Sequence, residues 1–154
     1  MSLDRIDREI LALLQQDASL STAEIADRVG LTTTPCWRRI QTLEREGIIR
    51  SRVALLDRRK LNLKVTVFVA IRTDQHSADW IKNFAAKVAD IPEVVEIHRM
   101  SGDVDYLLRI VVPDIEAYDD VYKRLIRVTD LHDVSSSFAM EEIKSTTVLP
   151  LDYV

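Results

Sequence analysis

Residues 31–50 read LTTTPCWRRIQTLEREGIIR, and the reading of this stretch decides the fold of the first third of the chain. Three threonines and a proline lead into a helical pattern. Pro35 is tolerated in a first helical turn, because the amides there lack an intrahelical partner. On a wheel of about 100° per residue, Cys36, Ile40 and Leu43 share one face, and Thr34, Arg38, Gln41 and Arg45 the opposite one, with Trp37 on the flank. Gly47 marks the end.

The preceding segments are helical as well. Ile6, Ile10, Leu11, Leu13 and Leu14 form an apolar stripe after Asp4, an N-cap residue. Ser21 followed by Glu24 is a capping box, Ile25, Ala26 and Val29 form one face, and Gly30 is placed to stop the helix. Three short helices with a tight turn between the second and third make a helix-turn-helix. The stretch IIRSRVALLD that follows reads as extended, able to form a small two-stranded wing.

The outward face of the third helix suits double-stranded DNA. Arg can pair bidentately with guanine and Gln with adenine. Thr32, Thr33 and Thr34 and the first-turn amides can hold phosphates. A solvated outer face is the plainer alternative for any surface helix. Cys36, the only cysteine, falls on the apolar side, where a lone cysteine packs as a small hydrophobe. One cysteine permits no internal disulfide.

Composition sets bounds. The chain of 154 residues has 47% hydrophobic and 30% charged residues, as a soluble globular protein does. No apolar run nears the roughly 20 residues of a membrane span, and the charged N-terminus does not resemble a signal peptide, so no membrane partner and a cytoplasmic location are expected. The net charge of −4 conceals an asymmetry: residues 1–62 carry +2 and residues 63–154 carry −6. His76, His98 and His132 are scattered without metal-ligand spacing, so neither metal nor cofactor is expected.

The second part changes period. VTVFVAIR (65–72) alternates as a strand, with Val65, Val67, Val69 and Ile71 on one face. Trp80, Ile81, Phe84, Ala85 and Val88 follow as a helical stripe. VVEIHRM and YLLRIVV are strands joined by the turn SGDVD. Asp114 caps a helix bearing Tyr118, Val121, Tyr122 and Leu125, and VSSSFAMEEIK is a last strand. The order βαββαβ is that of the ferredoxin-like unit, whose helices cover one sheet face. The other face needs a cover, and a second copy of the chain is the expected one. The fold class is α+β: a helix-turn-helix domain over 1–50, a wing and linker over 51–62, and a ferredoxin-like domain over 63–154.

LDRIDREILALLQQDASLSTAEIADRVGLT, RRIQTLEREGIIR, ALLD, SGDVDYLLRIVVPD and SSFAMEEIK with LPL, in that order, resemble the Lrp/AsnC family of transcriptional regulators over nearly the whole chain. LTTTPCW with SSFAM is similar to a cysteine-responsive subgroup of that family. Asn62 departs from the pattern, standing where many members carry glycine; Asn tolerates positive φ. The resemblance implies a winged helix-turn-helix that binds DNA through Thr32, Thr33, Thr34, Trp37, Arg38, Gln41 and Arg45. It also implies a RAM-type ferredoxin-like domain that dimerises, assembles further, often to octamers, and binds a small effector at its interfaces. That effector is an amino acid, with cysteine among the options.

The family's effector loop maps onto Ser101, Gly102, Asp103, Val104 and Asp105. The residues themselves suit an amino acid, since turn amides at Gly102 can hold a carboxylate and Asp103 or Asp105 an ammonium. A plain hairpin turn with an acidic tip is the alternative. Ser135, Ser136 and Ser137 are expected to add hydroxyl contacts from a neighbouring subunit. Sirohaem decarboxylases resemble the family in both halves, and on that reading His98, Arg99 and Arg109 would serve as functional groups. An effector-binding interaction module without specific DNA binding is the third reading.

Overall fold

The computed structural model describes residues 2–75, 77–128, 131 and 133–154. His76 and His132 lie outside the described residues. The chain divides into two compact units: residues up to Leu55 together with Lys144–Val154, and Leu56–Ile143.

In the first unit, α1 spans Arg5–Gln16, α2 Thr22–Val29 and α3 Thr33–Arg45. Asp4 caps α1 in a reciprocal capping box with Asp7. Ser21 and Glu24 do the same for α2, and Gly30 ends that helix in the left-handed conformation at φ 71°. Such a φ costs a side-chain-bearing residue more than glycine. Thr32 occupies the N-cap of α3 without bonding through its side chain. Ile10, Leu11, Ile25, Ala26, Val29, Cys36, Ile40 and Leu43 form the core, joined by the partly buried Leu14, Ile49 and Leu151.

Leu151 marks a correction to the expected boundaries, which placed all of 63–154 in the second domain. The last residues return to the helical unit. The Gln15 amide nitrogen donates to the Leu149 carbonyl at 3.2 Å, and the Leu149 N–H donates to the Gln15 side-chain oxygen at 2.7 Å. Leu151 then packs on the helical core. Residues 50–57 run without strand pairing, so the wing segment forms no two-stranded ribbon.

In the second unit, β1 spans Val65–Arg72, α4 Ala78–Ala89, β2 Val94–Arg99, β3 Tyr106–Val112, α5 Ile115–Val128 and β4 Asp133–Phe138. The last strand stops short of the expected MEEIK. The sheet order is β2-β3-β1-β4 with every neighbouring pair antiparallel, as the ferredoxin-like reading requires. Val67, Val69, Ile71, Leu108, Ile110 and Val112 point to the helices and meet Phe84, Val88, Val121 and Leu125. Trp80 stacks on Phe84 with ring centroids 5.1 Å apart. Asn62 adopts φ 61°, the only non-glycine among the described residues at positive φ, so the turn before β1 survives the absence of glycine.

Among the described residues no helix packs on the opposite sheet face. Strand alternation places Thr66, Phe68 and Ala70 there, opposite Val111, Arg109 and Leu107 on β3 and, for the last two, Ser137 and Ser135 on β4. Phe68 is 39% exposed.

Candidate functional site

The third helix sorts its residues as the wheel predicts. Cys36 and Leu43 are fully buried and Ile40 nearly so. Thr32, Thr33, Thr34, Trp37, Arg38, Gln41 and Arg45 are all exposed. Trp37 is 52% exposed. Burial pushes the Cys36 thiol pKa up, which keeps it protonated and unreactive.

The polar residues of this face differ in what already holds them. Arg38 has no hydrogen bond or ion pair among the described residues. Gln41 donates from its amide to Glu44 at 3.0 Å, and Glu44 also accepts from Arg52 at 3.0 Å. Arg45 lies 3.4 Å from Glu46. Arg39 is different in kind. Its Nη1 donates to Asp4 Oδ2 and to Asp7 Oδ1, each at 2.7 Å, so it joins α3 to the start of α1. The twin arginines thus divide, one tied inside the unit and one free at its surface. The wheel separates Arg38 from the core but gives no sign of where Arg39 ends.

In the second unit, residues 101–105 turn between β2 and β3. Gly102 holds φ 103°, a conformation that side chains strain to adopt. Ser101 and Asp103 are exposed, Val104 and Asp105 half-buried. Asp105 is already engaged: its Oδ2 accepts from the Thr73 N–H at 2.8 Å, its own N–H donates to the Ile71 carbonyl at 3.0 Å, and its carbonyl accepts from the Met100 N–H at 2.8 Å. It therefore fastens the turn to the end of β1, and only its second carboxylate oxygen is left for a ligand.

Arg72, at the end of β1, is a neighbour that sequence reasoning missed. Its Nε donates to the Asp103 carbonyl at 2.8 Å and its Nη1 to Asp133 Oδ2 at 2.6 Å. The turn and the start of β4 are brought together through this guanidinium. No periodicity marks Arg72; only the register of β1 places it there.

The serine run splits by strand alternation. Ser135 and Ser137 are exposed on the helix-free face, opposite Ala70 and Phe68. Ser136 points to the helices, where its hydroxyl hydrogen-bonds the Tyr118 hydroxyl. Burial raises the Tyr118 pKa, opposed by that bond. Of the three serines, Ser136 is the one not placed to meet a ligand on the open face.

His98 and Arg109 both turn to Glu96, at 3.3 and 2.5 Å. The Arg109 guanidinium, then burial in the opposite sense and His98, leave the Glu96 pKa below the usual range. Arg99 has no such partner among the described residues. Among the described residues no group of three or more His, Cys, Asp or Glu side chains could hold a metal ion. No helix there is long and apolar enough to cross a membrane.

Two domain families match the chain. The winged helix-turn-helix DNA-binding family matches residues 3–50, and the Lrp/AsnC ligand binding domain matches residues 66–149. The DNA-binding transcriptional activator DecR of Escherichia coli K12 is 52% identical over 151 residues, covering 97% of this chain and 99% of its own. The crystal structure of an AsnC family transcriptional regulator from Agrobacterium tumefaciens is 64% identical with a TM-score of 0.96, covering 98% of this chain and 99% of that one. A transcriptional regulator from Neisseria meningitidis, solved as a complex with L-Met, is 35% identical with a TM-score of 0.92, covering 99% of each chain.

Proposed function

From the premise that this chain belongs to the Lrp/AsnC family of DNA-binding transcriptional regulators, we propose that it reads an operator with α3 and answers to an amino acid bound at the 101–105 turn. It is a regulator like its relatives and not an enzyme. The observation that carries the DNA half is the shared outward face of α3. Thr32, Thr33 and Thr34 hold phosphates at the helix start, Arg38 and Gln41 reach base edges, and Trp37 and Arg45 flank them.

The amino acid's carboxylate meets the amides around Gly102, supported by Ser101 and Val104, and its ammonium meets Asp103 and the free oxygen of Asp105. Ser135 and Ser137 face the same open side of the sheet. The L-Met complex of the Neisseria relative supports an amino acid as the class of ligand. L-cysteine is the first to test, from the likeness of LTTTPCW and SSFAM to a cysteine-responsive subgroup. The helix-free face of the sheet, with Phe68 at its centre, supports a dimer through that face and assembly toward octamers. The work is cytoplasmic, on double-stranded DNA.

The deciding experiment selects a duplex from a random-sequence library and titrates it by gel shift, with and without L-cysteine and L-methionine. Selective binding that either amino acid alters supports the reading. Equal binding to selected and scrambled duplexes sinks the operator reading, and a screen in which no amino acid raises the melting temperature sinks the effector reading. A ligand at 100 times its dissociation constant should add about 2.7 kcal/mol.

A further inference from the structure

We propose that Asp4, Asp7 and Arg39 form a positioning clamp that fixes the rotation of α3 against α1 and so aims Arg38 at its base. The inference rests on the reading of α3 as the recognition helix.

Asp7 is the only charged residue among the described ones in the buried class, at 5% exposure. A carboxylate taken that far from water destabilises the fold unless it is paired. Both its oxygens are used. Oδ2 accepts the Asp4 N–H at 3.2 Å, completing the capping box of α1, and Oδ1 accepts from Arg39 at 2.7 Å. Asp4, the N-cap of the same helix, takes the other hydrogen of the same nitrogen at 2.7 Å. These partners are 32 and 35 residues from Arg39 in sequence, so the bonds join the first turn of α1 to the middle of α3. Asp7 first, then Asp4, hold the Arg39 pKa above its ordinary value, and the Asp7 N–H followed by Arg39 hold Asp4 below its own. Asp4 and Arg39 thus each favour the charged form of the other.

A capping box alone needs no arginine. Ser21 and Glu24 close one at α2 with no ion pair to Glu24 among the described residues. The added guanidinium therefore does something other than cap. Apolar packing at Cys36, Ile40 and Leu43 holds α3 on the core by shape and is not itself directional. Directional charge-assisted bonds add an angular constraint to it. The consequence falls on the next residue. Arg38, Arg39, Asp7 and Thr42 line one cleft of about 200 Å³. At a radius of about 6 Å from the axis, a rotation of α3 by about 20° would carry the Arg38 side chain roughly 2 Å, and a hydrogen bond does not survive that. Arg39 itself, already neutralised by two carboxylates, is not a phosphate contact.

The two roles differ in salt dependence. A phosphate contact contributes about 0.9 to the slope of log K against log salt and acts on every sequence alike. A positioning residue changes neither that slope nor binding to random DNA. The test uses the full-length chain, a duplex selected from a random library by the wild type, and a scrambled duplex of equal length. Arg39→Met and Asp7→Asn are expected to weaken selected binding by about tenfold, the scale of one lost base contact. They should leave scrambled binding within about twofold and the salt slope unchanged. The double variant should be no weaker than Arg39→Met alone, because the clamp acts as one unit. All measurements are made well below each variant's melting temperature. Where Arg39→Met does not fold, Asp4→Asn removes one bond from an exposed partner and is expected to give a smaller loss of the same kind. Equal loss on both duplexes with a shallower salt slope would make Arg39 a phosphate contact and overturn the clamp, as would unchanged selected binding. Arg38→Ala serves as the reference: if it leaves selected binding intact, the recognition-helix reading fails, and the clamp with it.

Discussion

Asp105 holds the Thr73 N–H in this structure and is proposed to hold an effector's ammonium, and separating the two gives the sharpest test of the proposed effector turn. Its Oδ2 caps the Thr73 N–H at 2.8 Å, and Thr73 is only 5% exposed. Asp105→Ala would leave that amide buried without a partner, a cost of about 1–3 kcal/mol. In a unit of this size each 1 kcal/mol moves the melting temperature by about 4–8 °C. Asp105→Asn keeps an oxygen acceptor at the same place and loses only the charge, so its cost is about 1 kcal/mol or less, the difference between a charged and a neutral hydrogen bond. Toward an amino acid the two variants should look alike. Both remove the counter-charge from the ammonium, worth roughly 1.5–3 kcal/mol, and both should weaken binding by about ten- to a hundredfold. Thermal unfolding and calorimetry with L-cysteine and L-methionine read the two quantities separately. If Asp105→Asn binds the amino acid as tightly as the wild type, the carboxylate does not hold the ammonium. If Asp105→Ala melts where the wild type does, the Thr73 cap is idle and the structural argument fails.

Arg38→Ala should cost about 1–3 kcal/mol on a selected duplex and relax preference at one base position, read by competition gel shift; uniform loss on all sequences would reassign Arg38 to phosphate. Cys36→Ala should destabilise the first unit by about 1–2 kcal/mol and leave the response to an amino acid intact, and a thiol reagent should label wild-type Cys36 only on unfolding; loss of response at unchanged stability would make the thiol a sensor. The first unit should also lose stability in acid. Asp4 and Glu24 have folded pKa values below their ordinary 3.8 and 4.5, Asp4 chiefly through the Asp7 N–H and Glu24 chiefly through the Ser21 hydroxyl. A depressed folded pKa gives stability that is present above the unfolded value and lost as pH falls through the folded one. Melting temperature should therefore be level above about pH 5 and fall below about pH 4.5, and Ser21→Ala with Asp4→Asn should flatten that fall. Leu151→Ala should lower the melting temperature of the helical unit, since Leu151 packs on its core; no change would leave the return of the last residues without energetic weight.

What the sequence revealed follows the reach of each signal. Helix faces and caps are local, so Cys36 against Arg38, and Ser21 with Glu24, were readable within four residues. The βαββαβ order was readable because alternation and helical period differ. Pairings between distant residues were not. Nothing near Arg39 announces Asp7, nothing near Asp105 announces Thr73, and Gln15 does not announce Leu149, because each partner is fixed only when the chain folds back on itself. The serine run shows the same limit on a smaller scale. Three adjacent serines look equivalent in sequence, yet strand alternation turns Ser136 inward to Tyr118 and leaves Ser135 and Ser137 outward. The unpaired wing segment is a case where extended propensity was legible and a hydrogen-bonding partner was not.

The return of the last residues bears on how such a protein can be a switch. A regulator's effector and its DNA must each alter the other's affinity by the same factor, whatever the path between them. Here the second unit is an insertion in the first. The chain enters it after Leu55 and leaves it before Lys144, so two covalent connections join the units. Two connections close a loop through the inserted unit. Gln15 and Leu151 hold the returning segment in the helical unit. If coupling runs through that grip, and DNA contact through α3 as proposed, the two can be separated. Loosening the grip should therefore lower the mutual effect of amino acid and DNA more than it lowers the affinity for either alone.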